Sequence, residues 1–185
     1  MKRVFLLTGK PGTGKTSLIE QAISESTINA GGFYTEEIRS GKTRAGFKLV
    51  TLDGREAVLS HIDFNKRFRI GKYGVDIDSL NRVGVTTLLD AAARCDVVVV
   101  DEIGRMELLS ADFRKAVRDI IDSGKRVLGT IMLQPEPDAD DIKRQPQVNL
   151  LTLTRANYSQ ILSEVKAWLT DTDPSETRTA RDHAL

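Results

Sequence analysis

Four short runs of consecutive apolar, mostly branched residues stand out along the chain: Val4 to Thr8, Val97 to Val100, Val127 to Ile131 and Leu150 to Leu153. None alternates with polar residues, as a strand with one wet face would. Each is therefore predicted to be a strand buried on both faces, in a sheet covered by helices above and below. Helical patterns fill the spaces between. Lys15 to Ser26 is one; Ser79 to Arg94 carries Leu80, Leu88, Ala91 and Ala92 on one stripe; Ala111 to Ser123 carries Phe113, Val117, Ile120 and Ile121; Asn157 to Leu169 carries Ile161, Leu162, Val165 and Trp168. Ser110 is placed to cap the third of these and Gly124 to stop it. Strands alternating with helices predict an α/β fold with a mostly parallel sheet.

Gly31 to Ile62 breaks this rhythm. Gly32 to Arg39, a Ser40-Gly41-Lys42-Thr43 turn and Gly46 to Leu52 read as a β-hairpin, an antiparallel excursion from the parallel core. From Asp171 onward no apolar periodicity remains. The organisation expected is thus one domain over residues 1–169 and a disordered tail over 170–185.

Composition narrows the class. Of 185 residues, 40% are hydrophobic and 29% charged, the proportions of a globular domain rather than a fibrous, disordered or membrane chain. A formal net charge of +1 gives no field for a polyanion, so no nucleic-acid partner is predicted. The apolar run after Met1-Lys2-Arg3 stops at Thr8-Gly9, too short to target or span a membrane. Cys95, the one cysteine, is expected to be a small buried residue ahead of a strand. A cytoplasmic monomer is the corresponding expectation.

The chemistry begins where the first strand ends. Gly9-Lys10-Pro11-Gly12-Thr13-Gly14-Lys15-Thr16 fits G-x-x-x-x-G-K-[ST], between a predicted strand and a predicted helix. In that setting the loop and the helix N-terminus turn backbone N–H groups onto an anion. Lys15 is predicted to reach the β- and γ-phosphates of a nucleoside triphosphate, and the Thr16 hydroxyl to ligate Mg2+. Asp101-Glu102 follows four valines at the end of another strand. Asp101 is the expected carboxylate of the metal site, acting through metal-bound water, and Glu102 the expected positioner of an attacking water. Thr130, near the end of the next strand, is placed either to hydrogen-bond the γ-phosphate or water or simply to stabilise its strand. Arg105, Lys143, Arg144 and Arg155 are candidate cations for the transferring phosphoryl group.

With those segments in view, the chain resembles the small P-loop nucleoside-triphosphatase family that includes thermophile enzymes and the human cancer-related nucleoside-triphosphatase. The likeness is carried by Gly9 to Thr16, Gly32-Phe33-Tyr34-Thr35-Glu36-Glu37-Ile38-Arg39, Gly71-Lys72-Tyr73-Gly74-Val75-Asp76 and Asp101-Glu102-Ile103-Gly104-Arg105-Met106-Glu107-Leu108. It spans about residues 1 to 169 and implies a three-layer, RecA-like P-loop domain that hydrolyses ATP, GTP, CTP and UTP with Mg2+, with broad base tolerance and weak diphosphate hydrolysis. It also implies that Val100 to Glu107, including Ile103, Gly104 and Met106, line the nucleotide, with Lys15, Glu102 and Arg105 catalytic. The family tends to have an asparagine–arginine pair after its last strand, where this chain has Asn157-Tyr158 with Arg155 two residues earlier.

Two other readings share the loop. A nucleotide or metabolite kinase needs an acceptor pocket and a cationic lid, for which Gln134 to Gln147 is the available loop. A partner-stimulated switch would bind tightly and turn over slowly. Guanine exclusivity is not expected, because Leu151 to Asn157 holds no Asn/Thr-Lys-x-Asp segment. Tyr34 and Tyr73 are placed either to stack on a base or to pack in the core.

Overall fold

The computed structural model describes residues 2–171, and in it the strands that hold the four apolar runs lie side by side. In chain order, β1 (Val4–Thr8) leads to α1 (Lys15–Ser24), then to the hairpin β2 (Ala30–Ser40) and β3 (Thr43–Thr51), and to β4 (Glu56–His61), β5 (Arg69–Ile70) and β6 (Tyr73–Val75). A helical turn, α2 (Ile77–Ser79), runs through a π-helical stretch (Leu80–Val85) into α3 (Thr86–Arg94). Then come β7 (Val97–Ile103), a 3-10 turn (Glu107–Leu109), α4 (Ala111–Asp122), β8 (Arg126–Ile131), α5 (Pro137–Lys143), β9 (Val148–Thr152) and α6 (Tyr158–Thr170).

One sheet takes all nine strands in the order β5-β6-β4-β3-β2-β7-β8-β1-β9. The five strands from β2 to β9 in that order pair in parallel, and the rest pair antiparallel. A strand, β8, therefore separates β1 from β7.

Side-chain alternation distributes the core over two faces, as the unbroken apolar runs require. Val4 and Leu6 of β1 join Val98 and Val100 of β7 and Phe113, Val117 and Ile121 of α4. Phe5 and Leu7 point the other way, to Leu18 and Ile19 of α1 and Val165 and Trp168 of α6. Phe5 stacks on Trp168 with ring centroids 4.7 Å apart, and the indole N–H donates to the Lys2 carbonyl. Each such buried side chain contributes about 1.5–3 kcal/mol. Ser110 caps α4 by accepting from the Phe113 N–H, and Gly124 turns the chain away with φ 75°.

Some expectations hold and others need correction. The hairpin is antiparallel as expected, and β2 also joins it to the core, its Ala30 to Phe33 pairing in parallel with Val97 to Val100 before the strand continues into the antiparallel region. Gly32 makes that junction possible: its φ is +125°, and a Cβ there would stand 1.9 Å from the Val99 carbonyl oxygen. Leu150 to Leu153 is not buried on both faces, since β9 lies at the sheet edge, runs Val148–Thr152 and leaves Leu150 exposed. Cys95 is half-buried. The 134–147 segment is no open loop but contains α5, capped by the Glu136 carboxylate on the Ala139 N–H. The tail expected over 170–185 lies outside the described residues, apart from Thr170, the last residue of α6, and Asp171. Among the described residues no helix is long and apolar enough to cross a membrane.

Gly32→Ala is expected to destabilise the fold by about 3 kcal/mol, combining overpacking with an unfavourable φ. Urea unfolding checks this, and a loss below about 1 kcal/mol would contradict the close approach of β2 to β7.

Candidate active site

The loop between β1 and α1 is built for a ligand rather than for self-satisfaction. Where α2, α4 and α5 each begin with a side chain accepting a backbone N–H, α1 begins at Gly14 in the left-handed region, φ 89°, with no side-chain cap and no acid in its first turn. Its N–H groups and the positive end of its dipole are left for an anion. Thr13 braces the loop by donating to the Lys10 carbonyl at 3.0 Å. Lys15 Nζ lies across the loop, 3.2 Å from the Gly9 carbonyl and 3.4 Å from that of Lys10. These are weak partners for an ammonium, and phosphate oxygens would replace them with charge-assisted bonds. Lys10, Pro11 and Gly12 are exposed on the outside of the loop.

Opposite Lys15 sits Asp101, 2% exposed at the end of β7. One carboxylate oxygen accepts from Thr16 Oγ1 at 2.5 Å and the other accepts from Thr130 Oγ1. Burial pushes the Asp101 carboxyl up, against the pull of those two hydroxyls and of Lys15. Thr130, on the strand that intervenes between β1 and β7, thus turns its hydroxyl onto the Asp101 carboxylate.

Glu102 follows through a cis peptide, and here the β7–β8 ladder slips. Val100 pairs with Gly129 but Ile103 pairs with Ile131, so β7 carries an extra residue at this point. The bulge re-aims the side chains, a device common beside active sites. Glu102 faces a cavity of about 240 Å³, and burial, then Asp101, push its carboxyl up. Arg105, exposed, and Met106, half-buried, line the same cavity. Val100 and Ile103, expected beside the nucleotide, turn their side chains into the core. Any contact from those two positions is through the main chain.

Glu107 is the residue whose setting the sequence did not reveal. It is 5% exposed, and a Cβ on Gly104 would meet Glu107 Oε2 at 3.0 Å and the Glu102 carboxyl carbon at 3.4 Å. Two carboxyl groups thus converge over one glycine. Burial, then the charge of Glu102, push Glu107 up to about 8, so it is neutral at pH 7.

The other candidates scatter. Lys143, the last residue of α5, and Arg144, which follows it, are held in ion pairs to Asp140 and Asp141 of that helix. Arg155 is exposed in the loop after β9, which flanks the phosphate loop: a Cβ on Gly9 would meet the Leu153 carbonyl oxygen at 2.5 Å. Tyr34 lines a separate cavity with Ile19 and Glu20, and Tyr73 stands edge-on to Phe47 at 5.6 Å. The aromatic ring beside the phosphate loop is Tyr158, whose ring a Cβ on Gly14 would meet at 3.2 Å and whose hydroxyl donates to Gln21. Nothing local in the sequence marks it, beyond its place at the start of α6.

Mg2+ fits these donors. Thr16 and Asp101 offer a hydroxyl and a carboxylate, hard oxygens already in contact. Among the described residues no cluster of three or more His, Cys, Asp or Glu could hold an ion alone. That agrees with the habit of Mg2+ at phosphate sites, which takes one or two protein oxygens and completes its shell with phosphates and water.

A glycine-rich loop opening a helix, a buried carboxylate two strands away and a glutamate beside it define a P-loop nucleoside-triphosphatase fold with a strand inserted between its two halves. Comparison with known proteins gives the particular family. The family model described as NTPase matches residues 4–166. The nucleoside-triphosphatase THEP1 of Thermotoga maritima is 45% identical over 161 residues, 87% of this chain and 92% of that protein. The human cancer-related nucleoside-triphosphatase is 35% identical over 181 residues, 89% of this chain and 95% of that one. In structure, the THEP1 crystal structure from Aquifex aeolicus superposes with a TM-score of 0.84 at 32% identity, covering 91% of this chain and 99% of the other. The chain belongs to this NTPase family.

Glu107 makes stability depend on pH. A carboxyl that titrates near 8 in the fold and near 4.5 when exposed binds an extra proton in the folded state between those values, so stability falls as pH rises through that window. The effect is at most about 5 kcal/mol. Glu107→Gln is expected to flatten that slope, so that the variant gains on the natural protein between pH 5 and pH 8.5 in urea unfolding. Parallel curves would show that Glu107 does not hold its proton.

Proposed function

We propose that this chain hydrolyses nucleoside triphosphates to the diphosphate and phosphate with Mg2+, with broad tolerance of the base. The observation that carries the reading is the pairing of Thr16 with Asp101 across the phosphate loop, with Glu102 beside it facing open space. The names of its relatives, nucleoside-triphosphatases over nearly the whole chain, point the same way.

In this reading the α1 N-terminus and the loop hold the β- and γ-phosphates, and Lys15 leaves the Gly9 and Lys10 carbonyls to bind their oxygens. Thr16 and Asp101 hold Mg2+, which when bound neutralises phosphate charge. Glu102 accepts a hydrogen bond from a water and aims its oxygen at the γ-phosphorus. As the new P–O bond forms, the bond to the β,γ-bridging oxygen breaks, the electron pair leaves with the diphosphate, and the water's proton passes to Glu102 and on to solvent. Arg105, on the rim of the same cavity, is the cation available to offset charge on the phosphoryl oxygens.

Base tolerance is supported by the loop after β9. Asn157, the residue best suited there to read a base edge, spends its side chain on closing the loop: its carbonyl accepts from the Thr154 N–H and hydroxyl, and its amide donates to the Thr152 carbonyl. The aromatic ring beside the phosphate loop, Tyr158, carries a hydroxyl already given to Gln21, which leaves it no polar group with which to distinguish bases.

A phosphate-release panel over ATP, GTP, CTP, UTP and the diphosphates, with Mg2+ or EDTA, tests the reading. All four triphosphates are expected to turn over within about tenfold of one another, and EDTA to abolish release. Release from one triphosphate alone would refute base tolerance. Glu102→Gln is expected to lower kcat by at least about a hundredfold while leaving nucleotide affinity nearly unchanged, and unaltered turnover would remove Glu102 from its role.

A further inference from the structure

Glu102 faces more room than a water molecule needs. Its cavity of about 240 Å³ holds roughly eight waters' worth of volume, since one water in the liquid occupies about 30 Å³. Binding and aiming a water needs only the first of those places.

The walls are not uniform. Beside Glu102 lie Gly104 and the buried carboxyl of Glu107. Phe47, Leu59 and Ile70 form an apolar side that comes wholly from the antiparallel extension, β3 to β5, and Met106 and Met132 face it from the nucleotide end of the sheet. The exposed Arg105 and Gln134 stand at the rim. Apolar walls with a few convergent polar groups are the make-up of a small-molecule site. This one is small, with space for roughly eight non-hydrogen atoms.

We propose that this cavity binds a second small molecule, an alcohol with an apolar body, and that the protein transfers the terminal phosphoryl group of a bound nucleoside triphosphate to its hydroxyl as well as to water. The proposal rests on the reading of Glu102 as the group facing the attacking oxygen. Apolar walls match the body of such a molecule, and Glu102 matches its hydroxyl. The alcohol oxygen bonds to the γ-phosphorus, the bond to the β,γ-bridging oxygen breaks with its electron pair leaving on the diphosphate, and the hydroxyl proton passes to the Glu102 carboxylate and on to solvent. The products are a phosphomonoester and a nucleoside diphosphate, and no further reactant is required. The antiparallel extension, which contributes nothing to the phosphate loop, thereby has a function at the site.

The test is 31P NMR of the full chain with ATP and Mg2+, using benzyl alcohol as the probe and methanol as a control too small to touch the walls. Benzyl phosphate is expected beside inorganic phosphate, with benzyl alcohol preferred over methanol, mole for mole, by at least about tenfold. Ile70→Trp, which fills the cavity from a short edge strand, is expected to cut ester formation at least about tenfold while phosphate release stays within about twofold. Phe47→Ala, which removes one wall, is expected to cut the preference for benzyl alcohol, and it decides the matter if Ile70→Trp loses phosphate release as well. Inorganic phosphate as the sole product with either alcohol overturns the acceptor site and leaves hydrolysis standing. An ester yield unchanged in both variants also overturns it. No phosphate release from the natural protein, with or without alcohol, overturns the hydrolytic reading beneath it.

Discussion

Asp101 ties the ends of β7 and β8 to the start of α1. Its carboxylate, almost wholly out of water, accepts one hydroxyl from the start of α1 and another from the end of β8. A carboxylate so placed is costly unless hydrogen bonds and opposite charge offset its desolvation. Two threonines and the nearby Lys15 offset part of that cost, yet its carboxyl is still pushed up. What remains is a local demand for positive charge beside a loop whose N–H groups call for negative charge. On the proposed reading a metal–triphosphate complex meets both demands at once.

The bulge after Val100 gives the second carboxylate a different outlook. In a regular strand Asp101 and Glu102 would point to opposite faces of the sheet, and Glu102 would head into one of the two packed cores. The extra residue instead directs it to the cavity at the carboxyl end, over Gly104 and against Glu107. Of the carboxyl groups gathered here, Asp101 is hydrogen-bonded to both sides, while Glu102 and Glu107 both line the cavity, Glu107 the more deeply buried and pushed up to about 8. The division of labour follows from burial and partners rather than from residue type.

Much of this was legible in the chain. The phosphate loop is a local device whose residues are contiguous, and long apolar runs mark strands buried on both faces. Edge and extension strands are harder: β9 has one neighbour, β5 and β6 are two and three residues long, and neither length leaves a periodicity to read. The seven-residue α5 is similarly short, although Glu136 before Pro137, with Asp138 and Asp140 in the first turn, is a start signal that could have marked it. The clustering of Glu107 with Glu102, the grip of Thr130 on Asp101 and the packing of Tyr158 on Gly14 are products of tertiary structure. No spacing in the sequence encodes them.

The central claim, that Asp101 and Thr16 form the protein half of a metal–nucleotide site, is tested most directly by electron paramagnetic resonance of Mn2+ titrated with a non-hydrolysable triphosphate. Asp101→Asn preserves shape but removes the charge and turns one of the two acceptor oxygens into a donor, so one threonine hydroxyl must turn to accept. It is expected to weaken binding of the metal–nucleotide complex by about ten- to a hundredfold while leaving the affinity for metal-free nucleotide within a few-fold. Equal Mn2+ spectra and equal affinities for the two proteins would contradict the account.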